Sequence, residues 1–137
     1  MMTRTRPTEL HQCRVRLASV PAAAAEARSH VRAIIRAWAV PVDPDIAVLL
    51  TSDLVTNAIT RGDSETVTLA VRCSRGRLHI EVYEASRSRP VAVDGQAVAE
   101  TGPWLALVAT LSAEWGSFLT PAGTATYFAL AFRPDLQ

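Results

Sequence analysis

The sequence contains no lysine, and all fourteen of its basic side chains are arginine. A P-loop nucleotide site needs a lysine that reaches the phosphates, and a Schiff-base mechanism needs a lysine amine, so both classes of site are excluded. Thirteen acidic residues leave a net charge of +1. That balance gives no electrostatic reason to expect binding to nucleic acid or to a membrane surface.

Cysteine and histidine are also scarce. Cys13 and Cys73 lie far apart without CxxC spacing, and both fall in the apolar phase of predicted strands, so we expect buried, reduced thiols. His11, His30 and His79 have no second ligand at a metal-binding spacing. The sequence therefore predicts no zinc site.

Long apolar runs are missing as well. No run approaches the roughly 20 residues that a membrane-spanning helix needs. Residues 1–12 are polar and basic with no secretion signal behind them, and we expect them to form a flexible tail on a cytoplasmic protein. Residues 13–137 have the length of a single domain, and they contain no internal repeat or linker.

Hydrophobic periodicity predicts the order β-α-α-β-β-loop-α-β-β. The predicted elements are a short strand at 13–17, a helix from Pro21 that ends before Pro41, a helix from Asp43-Pro44 to about Arg61, a hairpin of 66–73 and 78–82, a long loop at 85–102, a helix from Trp104 to about Ala113, and a closing hairpin of 115–119 and 124–132. We expect an α+β two-layer sandwich, in which helices cover one face of a mainly antiparallel sheet.

The second predicted helix carries polar residues where an apolar stripe is expected. At about 100° per residue, Asp53, Asn57 and Arg61 fall in the same sector as Ile46 and Leu50. One interpretation is surface charge on a helix that is slightly rotated. The other is a site for a nucleotide with Mg²⁺, because an amide oxygen is a ligand for hard cations and a carboxylate one turn earlier can act on an attacking hydroxyl.

The run LLTSDLVTNA at 49–58 resembles the N-box of the anti-sigma-factor serine kinases, a branch of the histidine-kinase-like (GHKL) ATPases that usually reads ELVTNAxxH. The order of elements is similar from Val15 to Phe132. The resemblance implies the Bergerat fold and an ATP site under a mobile lid. It also implies that Asn57 binds Mg²⁺ and that Asp53, where glutamate is usual, is the base that activates a partner serine. Arg61 stands where histidine is usual.

Other motifs of the resemblance are altered. Glu84 stands where an aspartate binds the adenine amino group, although it could be a surface carboxylate at a strand end, and Ser86 matches the small residue that follows. Gly102-Pro103-Trp104-Leu105 stands where Gly-x-Gly-Leu is usual, so Trp104 puts a ring where phosphates would lie. Gly102 is kept, but Pro103-Trp104 is also an ordinary helix start with an aromatic anchor. Thr126, on the closing strand, completes the expected nucleotide contacts.

These features leave three hypotheses. The first is a regulatory module that binds a sigma factor or an anti-anti-sigma protein of the STAS type, with ATP binding weakened or lost. The second is an active serine protein kinase that uses ATP and Mg²⁺, with Asp53 as base. The third is a domain that binds another ligand in the remodelled cavity. The resemblance also implies a homodimer.

Overall fold

A computed structural model describes residues 9–61, 64–85 and 111–133 of the chain. The elements in chain order are β1 (Glu9–Ala18), α1 (Ala22–Trp38), α2 (Pro44–Arg61), β2 (Thr66–Ser74), β3 (Arg77–Glu84), β4 (Glu114–Thr120) and β5 (Gly123–Ala131). The predicted order and the α+β class are confirmed for these residues. Most of the predicted loop at 85–102 and most of the helix from Trp104 lie outside the described residues.

The sheet has five strands in the order β1-β2-β3-β5-β4, and every neighbouring pair is antiparallel. The two helices pack against each other and on one face of this sheet. Strand alternation sets the inward face: β2 buries Val67, Leu69, Val71 and Cys73, while β3 buries Leu78, Ile80 and Val82. The described residues therefore form the expected two layers around one apolar core.

Strand β1 is longer than its apolar alternation predicts. It begins at Glu9, so residues 9–12, which we expected in the flexible tail, belong to the sheet. The polar ring of His11 interrupts the alternation in the sequence, but in the structure it stacks on Trp38 with ring centroids 4.9 Å apart. Of the two thiols, Cys73 is buried as expected, whereas Cys13 is only half-buried because β1 is an edge strand.

The boundary between the two helices follows its sequence signals. Helix α1 ends at Trp38, and the following residue, Ala39, lies in the left-handed region (φ 54°). The N–H of Val40 donates to the carbonyl of Ile35 at 3.0 Å, which completes a Schellman motif. Helix α2 begins at Pro44, and Asp43 caps it because its Oδ1 accepts the N–H of Asp45 at 2.9 Å. Both predicted boundaries are confirmed.

Within the described ranges, neither helix combines the length and the apolar character that crossing a membrane would require.

Candidate functional site

The direction of helix α2 over the sheet decides near which end of the sheet the predicted site residues lie. Its first turn borders a cavity of about 240 Å³ that also touches Leu130 and Ala131, at the end of β5. At its other end, α2 reaches Arg61 only five residues before β2 starts at Thr66. The start of β2 pairs with the end of β3, which pairs with the start of β5. The second half of α2 therefore lies toward the end of the sheet where β3 stops and β5 begins.

That end of the sheet buries polar side chains on its helix-facing side. Glu84, Thr124 and Thr126 are 5%, 0% and 6% exposed. Glu84 pairs with Thr124 across β3 and β5, and Thr126 pairs with Val82, so all three share the phase of the core residues. The interpretation of Glu84 as a surface carboxylate is thus wrong, because the strand phase points its side chain into the molecule. We call Glu84, Thr124 and Thr126 the polar end of the core.

Asp53 and Asn57 are half-buried on α2. Leu50 and Leu54, in the neighbouring turns of the helix, are fully buried. Burial raises the pKa of the Asp53 carboxyl above its ordinary value. The two polar residues are therefore neither free surface groups nor core residues, and they lie on the half of α2 that leads toward the polar end of the core.

The structure does not describe the side chains of the remaining predicted site residues. Arg61 is the last residue of α2, and its backbone alone is described. Ser86, Gly102 and Trp104 lie outside the described residues. The interpretations of these four residues remain predictions from the sequence.

Two buried hydroxyls near this site were missed by the sequence analysis. Thr51 on α2 is fully buried, and its Oγ1 has no hydrogen-bond partner among the described residues. Thr124 lies four residues before Phe128 on β5, so counting back in steps of two from that core residue would have identified it as inward-facing. Thr51 also had a signal in the sequence, because it lies four residues after Ala47, three before Leu54 and seven before Ala58, all of which are buried.

The chemistry of this arrangement suits a polar ligand better than a metal ion alone. Among the described residues, no group of three or more His, Cys, Asp or Glu side chains could hold a metal. Mg²⁺ is commonly held by one or two protein oxygens together with water and substrate phosphates. Asn57 could supply one such oxygen, so the residues fit a magnesium ion that arrives with a nucleotide and do not fit a closed metal site.

A second cluster of polar side chains lies on the opposite face of the sheet. His79, Glu81 and Tyr83 alternate along β3 and point away from the helices. The Nε2 of His79 lies 3.1 Å from Oε2 of Glu81, and the hydroxyl of Tyr83 donates to Oε1. Tyr127 stacks on His79 at 5.0 Å, and the guanidinium of Arg14 lies 5.1 Å from the centre of the Tyr83 ring. We call His79, Glu81 and Tyr83 the outer cluster.

Glu81 is the centre of the outer cluster and is only 5% exposed. Burial by itself raises the pKa of its carboxyl, but the hydrogen bonds from His79 and Tyr83 outweigh burial and leave the pKa below its ordinary value. Both carboxylate oxygens are occupied by protein partners. Among the described residues, the outer cluster is therefore a hydrogen-bonded network that compensates the buried charge of Glu81.

No protein-family model matches the chain, and no curated protein matches it at a significant level. The likeness to anti-sigma-factor kinases thus depends on the run around Asn57 and on the order of elements.

Proposed function

We propose that this chain is a regulatory domain similar to anti-sigma-factor kinases, and that it acts by binding a protein partner while its nucleotide binding is weakened. The partner is a sigma factor, an anti-anti-sigma protein of the STAS type, or each in turn. One observation carries the proposal. The core of a small domain is polar at one end, and the helix that bears the LVTNA run extends toward that end.

The polar end is difficult to explain by stability alone. An apolar core can stabilise a domain of this size, so stability does not require a glutamate and two threonines inside it. In the resemblance, the residue at the position of Glu84 binds the adenine amino group. The burial of Glu84 on the helix-facing side supports this role, because a surface carboxylate could not contact a base held between sheet and helices.

The sequence indicates why phosphoryl transfer would be slow and nucleotide binding weak. Asp53 is one methylene shorter than the usual glutamate, and an error of about 1 Å in position can lower a rate by roughly a hundredfold. Pro103 removes a backbone donor, and Trp104 adds a bulky ring in the run that resembles a phosphate loop. Weak nucleotide binding and lost phosphoryl transfer are compatible with a retained partner surface.

A second candidate is an active serine protein kinase that uses ATP and Mg²⁺. The observation in its favour is Asp53, whose pKa is raised by burial. A carboxylate with a raised pKa is a better proton acceptor than an ordinary surface aspartate. In this case Asp53 would take the proton of a partner serine hydroxyl, and Asn57 would hold Mg²⁺.

Calorimetric titration with ATP and with ADP at millimolar Mg²⁺ tests the nucleotide part of the proposal. We expect weak binding, with a dissociation constant in the high micromolar to millimolar range, that is abolished by Asn57→Ala. The matched control is Thr56→Ala, because Thr56 is adjacent to Asn57 and exposed. Equal binding by the two variants would contradict a nucleotide site at Asn57.

A second experiment tests the partner. Purified sigma factors and STAS-domain proteins of the source organism are titrated against the chain with and without ADP. Binding by at least one of them is expected, and it should survive Asn57→Ala if partner binding does not depend on nucleotide. Phosphorylation of a STAS protein on serine, lost in Asp53→Asn, would favour the kinase. No binding in any nucleotide state would overturn the regulatory proposal.

A further inference from the structure

Glu84 differs in length, and not in chemical type, from the residue that is usual at its position. An aspartate is usual there in the resemblance, and Glu84 is one methylene longer. One additional carbon–carbon bond moves a carboxylate about 1.5 Å farther from its backbone. Because Glu84 is 5% exposed and shares the strand phase of the core, this displacement is directed into the space between the sheet and the helices. The length of the side chain therefore bears on which base the domain accepts.

Strand β5 holds the backbone of Glu84 in place. Glu84 pairs with Thr124, which directly follows Gly123 at the start of β5. A Cβ atom at Gly123 would collide with the carbonyl oxygen of Glu84 and lie 2.7 Å from the Cα of Ala85, so this approach of the two strands requires glycine. Glu84 thus presents its carboxylate from a fixed position, as the recognition of one edge of a planar ligand requires.

An ionised carboxylate can only accept hydrogen bonds. Its two oxygens offer about four acceptor sites, so it can bind a ligand in addition to a protein partner. Two parallel N–H donors on one edge of a planar group match it best, because each oxygen then accepts one of them. The hydroxyls of Thr124 and Thr126 can donate or accept, so they do not select between ligands in this way. Within the polar end of the core, Glu84 therefore sets the preference.

Guanine and adenine differ in what they present to such a carboxylate. The Watson–Crick edge of guanine has two adjacent donors, the N1–H and the 2-amino group, whereas that of adenine has one donor, the 6-amino group, beside the acceptor N1. A carboxylate that reaches adenine with both oxygens directs one of them at the lone pair of N1. An aspartate set about 1.5 Å farther back can accept the 6-amino group with one oxygen and leave N1 uncontacted. The longer Glu84 therefore favours guanine.

We infer that the nucleotide site prefers guanine to adenine, and that Glu84 determines this preference by accepting the N1–H and the 2-amino group of guanine. The inference rests on the proposed function, since it assumes the nucleotide site that Asn57 and the polar end of the core would form. It names the ligand of that site as a guanosine phosphate with Mg²⁺. It also supplies a second reason for weak binding of ATP and ADP, because these nucleotides carry the less suitable base.

Calorimetric titration of the full chain with GDP, IDP and ADP at millimolar Mg²⁺ tests the inference without any variant. We expect GDP to bind at least about tenfold more tightly than ADP, since a bidentate contact to a base discriminates by roughly this factor or more. IDP keeps the N1–H of guanine but lacks the 2-amino group, so its affinity should be intermediate. If ADP binds, loses its binding in Asn57→Ala and is not surpassed by GDP, the inference is overturned while the proposed nucleotide site stands. Binding of none of the three would overturn both.

Glu84→Gln tests whether Glu84 sets the preference. The amide has nearly the size of the carboxylate but presents a donor beside an acceptor, which matches N1 and the 6-amino group of adenine. The ratio of the ADP and GDP dissociation constants should therefore fall to about one, whereas a variant that merely loosens the fold would weaken both nucleotides alike and keep the ratio. The control is Glu114→Gln, which changes an exposed carboxylate on the edge strand β4 and should keep the wild-type ratio. An unchanged ratio in Glu84→Gln would overturn the assignment.

Discussion

Two carboxyl groups, the buried Glu81 on the outer face of the sheet and the half-buried Asp53 on α2, have pKa values shifted in opposite directions. On the outer face, Glu81 is held by His79 and Tyr83, and its pKa falls below the ordinary value despite its burial. On the helix-facing side, burial alone acts on Asp53, and its pKa rises. Glu81 is stabilised in its charged form by the fold, whereas the charged form of Asp53 is disfavoured by the fold.

This difference separates a structural group from a candidate functional one. A carboxylate whose two oxygens each accept a hydrogen bond from a protein donor is already compensated for its burial and needs no ligand to explain it. A carboxyl that the fold leaves partly desolvated destabilises the protein when it is ionised, and groups of this kind concentrate at functional sites. The outer cluster is therefore the better candidate for a structural role and the Asp53 side of α2 for a functional one, and four measurements can break or sharpen this contrast.

The largest expected effect is on Glu81. Glu81→Ala leaves His79 and Tyr83 without their shared acceptor, and breaking a buried pair in this way lowers the free energy of unfolding by about 3 kcal/mol. Urea unfolding measures the change. The control is Glu114→Ala, which removes an exposed carboxylate paired with Arg77 at 3.6 Å and should cost less than about 1 kcal/mol. A Glu81 variant as stable as its control would refute the structural role of the outer cluster.

The pH dependence of stability should differ in sign between the two carboxyl groups. The lowered pKa of Glu81 gives stability that is complete above its ordinary value of 4.5 and is lost as the pH falls through the lower folded value. The raised pKa of Asp53 acts in the opposite direction, because the folded protein binds this proton more readily than the unfolded chain does. The positive charge of Arg72 also lowers the pKa of the Glu81 carboxyl.

Urea midpoints measured from about pH 7 to about pH 3 test this difference. Relative to the wild-type chain, Glu81→Gln should flatten the loss of stability in acid, and Asp53→Asn should steepen it. Parallel curves for the two variants would show that the two environments do not differ as described.

Much of this fold could be predicted because its signals are local. The apolar alternation of β2 and β3, the Asp43-Pro44 start of α2 and the end of α1 before Pro41 each depend on neighbouring residues only, and the structure confirms them. Residues 9–12 were wrongly assigned to the tail, because the contacts that hold them in the sheet are made with residues distant in the sequence. His11 joins β1 through its contact with Trp38, which is distant in the sequence.

The candidate site was predictable only where a polar residue interrupted an apolar pattern. Asp53 and Asn57 could be identified in this way on α2. His79, Glu81 and Tyr83 could not, because alternating polar residues on a strand look the same whether they face solvent or form a buried network. The direction of the Glu84 side chain followed from strand phase, but its burial depended on the packing of α2 over the end of the sheet.

Thr51 allows a smaller test on the helix-facing side. Its hydroxyl is buried without a partner among the described residues, so Thr51→Val should raise the free energy of unfolding by about 1 kcal/mol by removing a desolvated polar group of nearly the same shape. Thermal unfolding measures the change, with Thr56→Val as the exposed control, for which no gain is expected. A loss of stability in Thr51→Val would mean that this hydroxyl is satisfied in the native protein.

The smallest expected effect concerns Asp53 itself. Asp53→Asn keeps the size of the side chain and removes a charge that partial burial disfavours, so stability near neutral pH should rise slightly. Asp45→Asn is the control for charge. Asp45 is exposed in the first turn of α2 beside Arg32, where a negative charge is favourable, so its replacement should slightly lower stability. If both variants lost stability equally, Asp53 would be an ordinary surface charge, and the contrast with Glu81 would no longer indicate a functional site.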